Sequence, residues 1–314
     1  MNIKRGDFLF FKMEEDMITS TYGLVKRNIR LFFKDKAMFF TALVTPMILL
    51  ILYGTFLGNT YEKTFRDALK GIDVSDKLIN GCVGGELISS LMAVCCITVS
   101  FCSNLLMVQD KVTGARKDLM MSPVKKSTLA LAYYIANLIT TLMICYVAIG
   151  VCFIYLANMG WYLSVKDVML FLLDVLLLTL FGTGLSSIVN YFLSSQGQIS
   201  AVGTIVSAGY GFICGAYMPI SQFSDSVQKL VSLLPGTYGT SLLRNHMFRG
   251  VFKEMEKKDV PSEIIDALKD TLDCNLYFFD ESVSINTMYA VLGISVVVLI
   301  VIYIIINKMN SKKI

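Results

Sequence analysis

Apolar runs of 20 residues or more recur along this chain, and runs of that length admit few folds. A helix rises about 1.5 Å per residue, so about 20 apolar residues match the roughly 30 Å hydrocarbon layer of a bilayer. Composition points the same way. Of 314 residues, 55% are hydrophobic and 17% charged, with a mean hydropathy of +0.63. Soluble domains run about 45–50% apolar and about 25% charged. The chain reads as a polytopic membrane protein with no ordinary soluble domain between its spans.

Six spans are expected, at about Ala37–Leu57, Val83–Val108, Thr128–Leu156, Val168–Leu193, Ile199–Met218 and Asn286–Ile306. Pro46 should kink the first. Trp161 and Tyr162 follow the third as interfacial anchors. Ahead of the first span, residues 21–36 place Tyr22, Val25, Ile29, Phe32 and Phe33 on one helical face. Lys26, Arg27, Arg30 and Lys34 take the other, which predicts an amphipathic helix lying in the membrane interface. Residues 1–20 are too polar for a cleavable signal peptide. The parts are then an N-terminal segment (1–36), a transmembrane domain (37–306) and a short tail (307–314), with a long loop at 219–285.

An even number of spans puts both termini on one side. The segments of that side (1–36, 109–126, 194–198, 307–314) hold 16 basic and 7 acidic residues. The opposite loops (58–82, 157–167, 219–285) hold 12 basic and 15 acidic. The positive-inside rule assigns the first group, termini included, to the cytoplasm of a cell-membrane protein.

Between the second and third spans lies a polar island, Gln109–Pro123 (QDKVTGARKDLMMSP), followed by Lys125 and Lys126. Ionised side chains and unpaired backbone cannot lie in hydrocarbon, so this island is presented to one compartment. Asp110, Gly114, Leu119 and Pro123 fall at relative positions 1, 5, 10 and 14, with Ser122 before the proline. Here the chain resembles the ABC-2 type permeases, the membrane subunits of type V ABC exporters, although that family more often has Glu where Asp110 stands. The resemblance implies that the island is a coupling helix docking on a separate cytoplasmic ATPase subunit, with Asp110, Gly114, Asp118, Leu119 and Pro123 as the coupling residues.

A second match follows span five. Tyr217-Met218-Pro219 opens the loop, and LLPGTYGTSLLR (Leu233–Arg244) carries Pro235, Tyr238, Leu243 and Arg244 at the family's spacing. Two apolar stretches too short to span, each broken by proline, fit re-entrant helices. The resemblance implies extracellular re-entrant helices with Pro219, Pro235, Tyr238 and Arg244 near the outer end of an export path. Gly203, Ser207, Gly211 and Gly215 recur every fourth residue in span five, which lets helix backbones approach closely. The resemblance implies a dimer centred on span five, with a second copy or a homologous permease; packing within one subunit explains the stripe as well. Asp174 lies about two turns inside span four, where a buried acid either faces a polar path or pairs with a neighbouring helix. Glu86, a few residues into span two, is expected at the interface.

Several classes are excluded. The stretch LSSQGQ (Leu193–Gln198) looks like an ABC ATPase signature, but the chain has no G-x-x-x-x-G-K-[ST] loop to cradle phosphates. No catalytic site or cofactor is expected in this chain; ATP and Mg belong to the partner ATPase. A lone His246 argues against a His-based metal site. Six of the eight cysteines lie in apolar runs, while Cys82 and Cys274 fall in the loops opposite the termini. No basic face remains for nucleic acid. The expectation is an all-α integral membrane protein with six transmembrane helices, an N-terminal interfacial helix and re-entrant helices after span five. Its expected function is the permease subunit of an exporter that moves an amphipathic drug, lipid or hydrophobic peptide outward. Alternatives are a polysaccharide or glycolipid exporter of the same family, an ion-coupled carrier using Asp174, or a membrane immunity protein with no transport. A carrier of the inverted-repeat kind should show two similar halves, and none is visible.

Overall fold

A computed structural model describes residues 5–122, 124–279 and 281–311; Pro123, the last residue of the island motif, lies outside the described residues. The amphipathic helix is longer than periodicity indicates, with α1 running Arg5–Lys34. Asp35 ends it and caps the next helix, its carboxylate accepting the Met38 N–H at 3.0 Å. Helix α2 (Lys36–Leu52) carries Pro46 in its interior. A π-helical turn, Tyr53–Leu57, joins it without a break to α3 (Gly58–Ala68). The expected end of span one at Leu57 is therefore passed, and part of the loop after it is helix. The cause is amphipathicity: α3 buries Phe65 against residues of later helices, so the chain stays helical beyond the apolar run.

The remaining helices are α4 (Asp76–Val112), α5 (Ala115–Met121), α6 (Lys126–Met159), α7 (Val165–Phe192), α8 (Gln196–Ile213), α9 (Asp225–Val231), α10 (Pro235–Lys257), α11 (Ser262–Thr271) and α12 (Ile285–Ser311). Five described helices are long and apolar enough to cross a membrane: Lys36–Ala68, α4, α6, α7 and most of α12. Helix α8, where the fifth span was expected, has 18 residues and opens with the polar Gln196-Gly197-Gln198, and it is not among the five. The expectation of a wholly helical chain also misses a small antiparallel hairpin, in which β1 (Leu276–Phe278) pairs with β2 (Glu281–Val283), Leu276 opposite Val283.

Helix α4 is the centre. Of its apolar stretch 94% is buried, against 17% for α12. It packs on α2, α6, α7, α8 and α10. Small side chains such as Gly84, Gly85, Ser89, Ser90 and Ala93 let so many neighbours approach one helix. Gly182 of α7 shows how close the crossing is: a Cβ there would lie 2.8 Å from the Cys96 carbonyl oxygen. A polar seam ties α4, α6 and α7. Asn104 donates to Ser186 and Ser187 at 3.2 and 3.0 Å, Asn137 donates to Ser186 at 3.1 Å, and Ser103 bonds Asn137. Away from water and with partners present, these groups fix register between α4, α6 and α7.

The loop 219–285 forms a cap at the N-terminal end of α4. Phe65 and Leu69 join Leu78, Ile79, Phe248, Phe252, Met255, Ile265 and Leu268 in a separate apolar cluster there. Cys82 and Cys274 are both buried in this cluster as free thiols.

Candidate functional site

The island at the C-terminal end of α4 does two things. Asp110 and Lys111 turn inward, while α5 turns outward. Asp110 is 5% exposed and accepts from Arg27 Nη1 and Nη2 at 2.7 and 3.1 Å and from the Tyr133 hydroxyl at 2.5 Å. One carboxylate thereby joins α1, α4 and α6. It holds the Arg27 guanidinium above its already high ordinary value, the hydrogen bond being the main cause. Lys111 donates to the carbonyls of Asn190, Tyr191 and Leu193 at 3.2, 2.5 and 3.1 Å. That cation sits at the C-terminal end of α7, where Asn190 also accepts the Leu193 N–H and the carbonyls beyond it have no further helical turn to bond. The end of α4 is clamped on both sides.

Beyond Thr113 the chain reverses at Gly114, whose φ of 86° is the left-handed region that glycine adopts without strain. Helix α5 follows with none of its residues buried. Lys117, Asp118, Met120 and Met121 are exposed, and Met121 is 86% so. Leu119 leans back, packing against the cluster of Met107, Leu129 and Tyr133. Of the expected coupling residues, Asp118 is presented to solvent, Leu119 anchors the helix and Gly114 turns it. Asp110 is not presented at all. Sequence spacing could not show this, because its partners Arg27 and Tyr133 lie on other helices.

At the opposite end of α4 stands Arg244, completely buried on α10. Its Nη2 donates to Glu86 Oε1 at 2.6 Å, Ser90 Oγ at 3.3 Å and the Gly215 carbonyl at 2.8 Å. Its Nη1 donates to Asp273 Oδ2 at 2.8 Å. Asp273 also accepts the N–H groups of Ile220 and Ser221 at 2.7 and 3.3 Å. One guanidinium therefore gathers α4, α10, the turn after α8 and the segment after α11. Glu86, expected near the membrane interface from its position at the start of a span, is fully buried within the protein, where Arg244 supplies its counter-charge. Pro219 sets the turn at Ile220–Gln222. Pro235 occupies the first turn of α10, where its missing N–H costs nothing. The Tyr238 hydroxyl donates to the Ser232 carbonyl at 2.6 Å, closing the elbow between α9 and α10.

Helix α10 makes two further ties. Asp174 is buried on α7, with His246 Nδ1 at 2.5 Å from one oxygen and the Tyr289 hydroxyl donating to the other at 2.6 Å. Arg249 pairs with Asp167, which also closes a capping box with Ser164 at the start of α7. The four-residue stripe divides. Gly203 has open space around it, whereas a Cβ on Gly211 would meet the Tyr217 ring at 2.4 Å. Gly215 lies past the end of α8 with φ 78° and lends its carbonyl to Arg244. Ser207 accepts, through its carbonyl, the Tyr217 hydroxyl at 3.3 Å. LSSQGQ is a plain helix start, with Ser195 accepting the Gln198 N–H at 3.4 Å. A groove of about 670 Å³ opens between α2, α4 and α6, walled by side chains such as Phe39, Met47, Leu87, Met143 and Val147.

These features define an α-helical membrane protein of the permease class, with spans braced into one block and a short helix held out from it. The family model described as ABC-2 type transporter matches residues 19–248, well over half of the chain. The chain belongs to the ABC-2 type transporter family. The matched residues form a transport permease domain. No curated protein matches it at a significant level.

Proposed function

We propose that this chain is the permease subunit of an ATP-binding cassette exporter, driven by a separate cytoplasmic ATPase through α5. The observation that carries this is the contrast across Gly114: Asp110 and Lys111 before it are tied into the bundle, and α5 after it buries no residue and exposes Lys117, Asp118, Met120 and Met121. A rigid-body push on α5 passes through Leu119, Asp110 and Lys111 into α1, α4, α6 and α7 together. A solvated loop without such clamps would absorb the push locally.

In this reading α8 is the sixth crossing, the α5 end faces the cytoplasm, and α9 and α10 re-enter from outside. The charge asymmetry of the loops supports that orientation. Two copies would pair along the open face of α8, where Gly203, Ala201, Ile205 and Ala208 have little packed over them. The aliphatic and aromatic lining of the α2–α4–α6 groove favours an amphipathic drug, lipid or hydrophobic peptide over a polysaccharide.

The test is co-purification with candidate ATPase subunits, followed by ATPase assays with Met121→Glu and Asp118→Lys. Both substitutions fall on the exposed face of α5 and leave the clamps intact. Loss of the complex and of permease-dependent ATP turnover is expected. A permease that forms no complex with any ATPase, or a complex indifferent to α5, overturns the assignment.

A further inference from the structure

A second groove, of about 570 Å³, lies at the α5 end of the bundle between the start of α6 and the end of α12. Its walls are apolar, formed by Ala130, Leu131 and Tyr134 on one side and Ile300 and Ile304 on the other. Its mouth is basic, ringed by Lys125, Lys126 and Lys308. Among the described residues no carboxylate pairs with Lys125 or Lys126. Among the described residues the Tyr134 hydroxyl, buried at the groove, has no hydrogen-bond partner, unlike Tyr303 beside it, which donates to the Ala130 carbonyl at 3.1 Å. Helix α6 also begins here, at Lys126, with no side chain capping its first N–H groups.

We infer that this groove binds one anionic phospholipid, its acyl chain between α6 and α12 and its phosphate against the three lysines. Charge and shape argue for that occupant together. An apolar slot that opens sideways between two spans has a hydrocarbon chain as its natural filling. A basic rim at the end of the same slot then stands at headgroup depth, where cations attract anionic lipid. The open N–H groups of α6 add a partial positive charge, and the Tyr134 hydroxyl supplies a neutral donor. A soluble phosphate would use the rim and leave the slot unexplained. Lys125 and Lys126 stand four and five residues after the end of α5, so a bound lipid fixes the far side of the coupling helix as Asp110 fixes the near side.

The side of the membrane to which the groove opens rests on the proposed topology, and the role in coupling rests on the permease reading. Binding itself depends on neither and is measurable on the purified chain alone. Native mass spectrometry of delipidated protein, with phosphatidylglycerol and phosphatidylcholine of identical chains in equal amount, reads it directly. The expected result is one retained phosphatidylglycerol and a preference on the order of a hundredfold over phosphatidylcholine, from about 1 kcal/mol for each of the three lysines. Lys125→Gln/Lys126→Gln/Lys308→Gln should abolish the preference at unchanged melting temperature. Inorganic phosphate should not displace the lipid; displacement at equal concentration assigns the rim to a free anion and sinks the proposal. Equal binding of the two lipids by the wild-type chain sinks it too. Should the triple variant fail to fold, Tyr134→Phe decides, with a several-fold loss of phosphatidylglycerol expected and no loss counting against the site.

Discussion

Arg244 and Glu86, 158 positions apart in the chain, meet at 2.6 Å in an ion pair with almost no solvent contact on either side chain. Removing one partner of such a pair strands the other charge in the interior, which costs about 3–5 kcal/mol. Arg244→Ala strands two carboxylates, Glu86 and Asp273, and is expected to lower the melting temperature more than Glu86→Gln, which keeps a neutral acceptor. The double variant Arg244→Met/Glu86→Met should recover part of the loss, since an apolar pair needs no counter-charge. Thermal unfolding in detergent checks the order, and a single variant as stable as wild type would refute the brace.

Asp110 and α5 are separable. Asp110→Ala removes hydrogen bonds from Arg27 and Tyr133, each worth about 1.5–3 kcal/mol when an ion takes part. Arg27 is about 29% exposed, so the lower end applies to it. The variant should destabilise the permease and loosen α1, read as faster proteolysis of the first 34 residues. Met121→Glu should leave melting unchanged while weakening ATPase docking. If the two variants behave alike, the division of labour at Gly114 is wrong.

The stripe in α8 gives a third pair of outcomes. Gly211→Ala forces a methyl group against the Tyr217 ring, an overpacking of about 1–3 kcal/mol within one subunit. A Cβ on Gly203 would meet no atom within 4 Å among the described residues, so Gly203→Leu should act mainly on a partner copy. Melting should fall for the first and oligomeric mass for the second. Loss of neither dimer nor stability in Gly203→Leu removes α8 from the interface.

All eight cysteines are buried free thiols. Burial pushes the Cys274 thiol well up from its ordinary value, with Arg244 opposing weakly, so almost no thiolate exists to react. Maleimide added to intact cells should therefore leave the protein unlabelled until it is denatured. Labelling of Cys274 in the native protein would mean that the cap formed by α11 and the hairpin opens.

The apolar helices were legible in the sequence because their signal is local: hydrocarbon selects runs of one composition. The island was legible as polar for the same reason. Its internal division was not, since Asp110 and Asp118 look alike until Arg27 and Tyr133 are brought to one of them. The same holds for Glu86, whose neighbours in sequence place it at an interface and whose partner lies on α10. As the chain's one histidine, His246 speaks against a His-based metal site, and its spacing does not tie it to Asp174. The one available signal was that a buried acid needs a donor and that His246 sits two residues from Arg244, on the same helix. The cap at 250–285 was unreadable because α11 is short and the hairpin strands have three residues each.

Asp174 decides between export by a driven permease and an ion-coupled carrier. Both of its oxygens are taken, one by His246 and one by Tyr289, and the three residues bridge α7, α10 and α12. An obligatory proton carrier must release its partners in each cycle, whereas a structural tie need not. Asp174→Asn preserves shape and the acceptor for Tyr289 but removes the charge that faces His246. In the permease reading this variant transports at close to the wild-type rate once enough folded protein is present, with a stability loss of about 1–3 kcal/mol from the weakened bond to His246. Tyr289→Phe, which keeps the carboxylate, should cost less. Transport that stops in Asp174→Asn at unchanged stability, together with a lost dependence on the proton gradient, would favour the carrier.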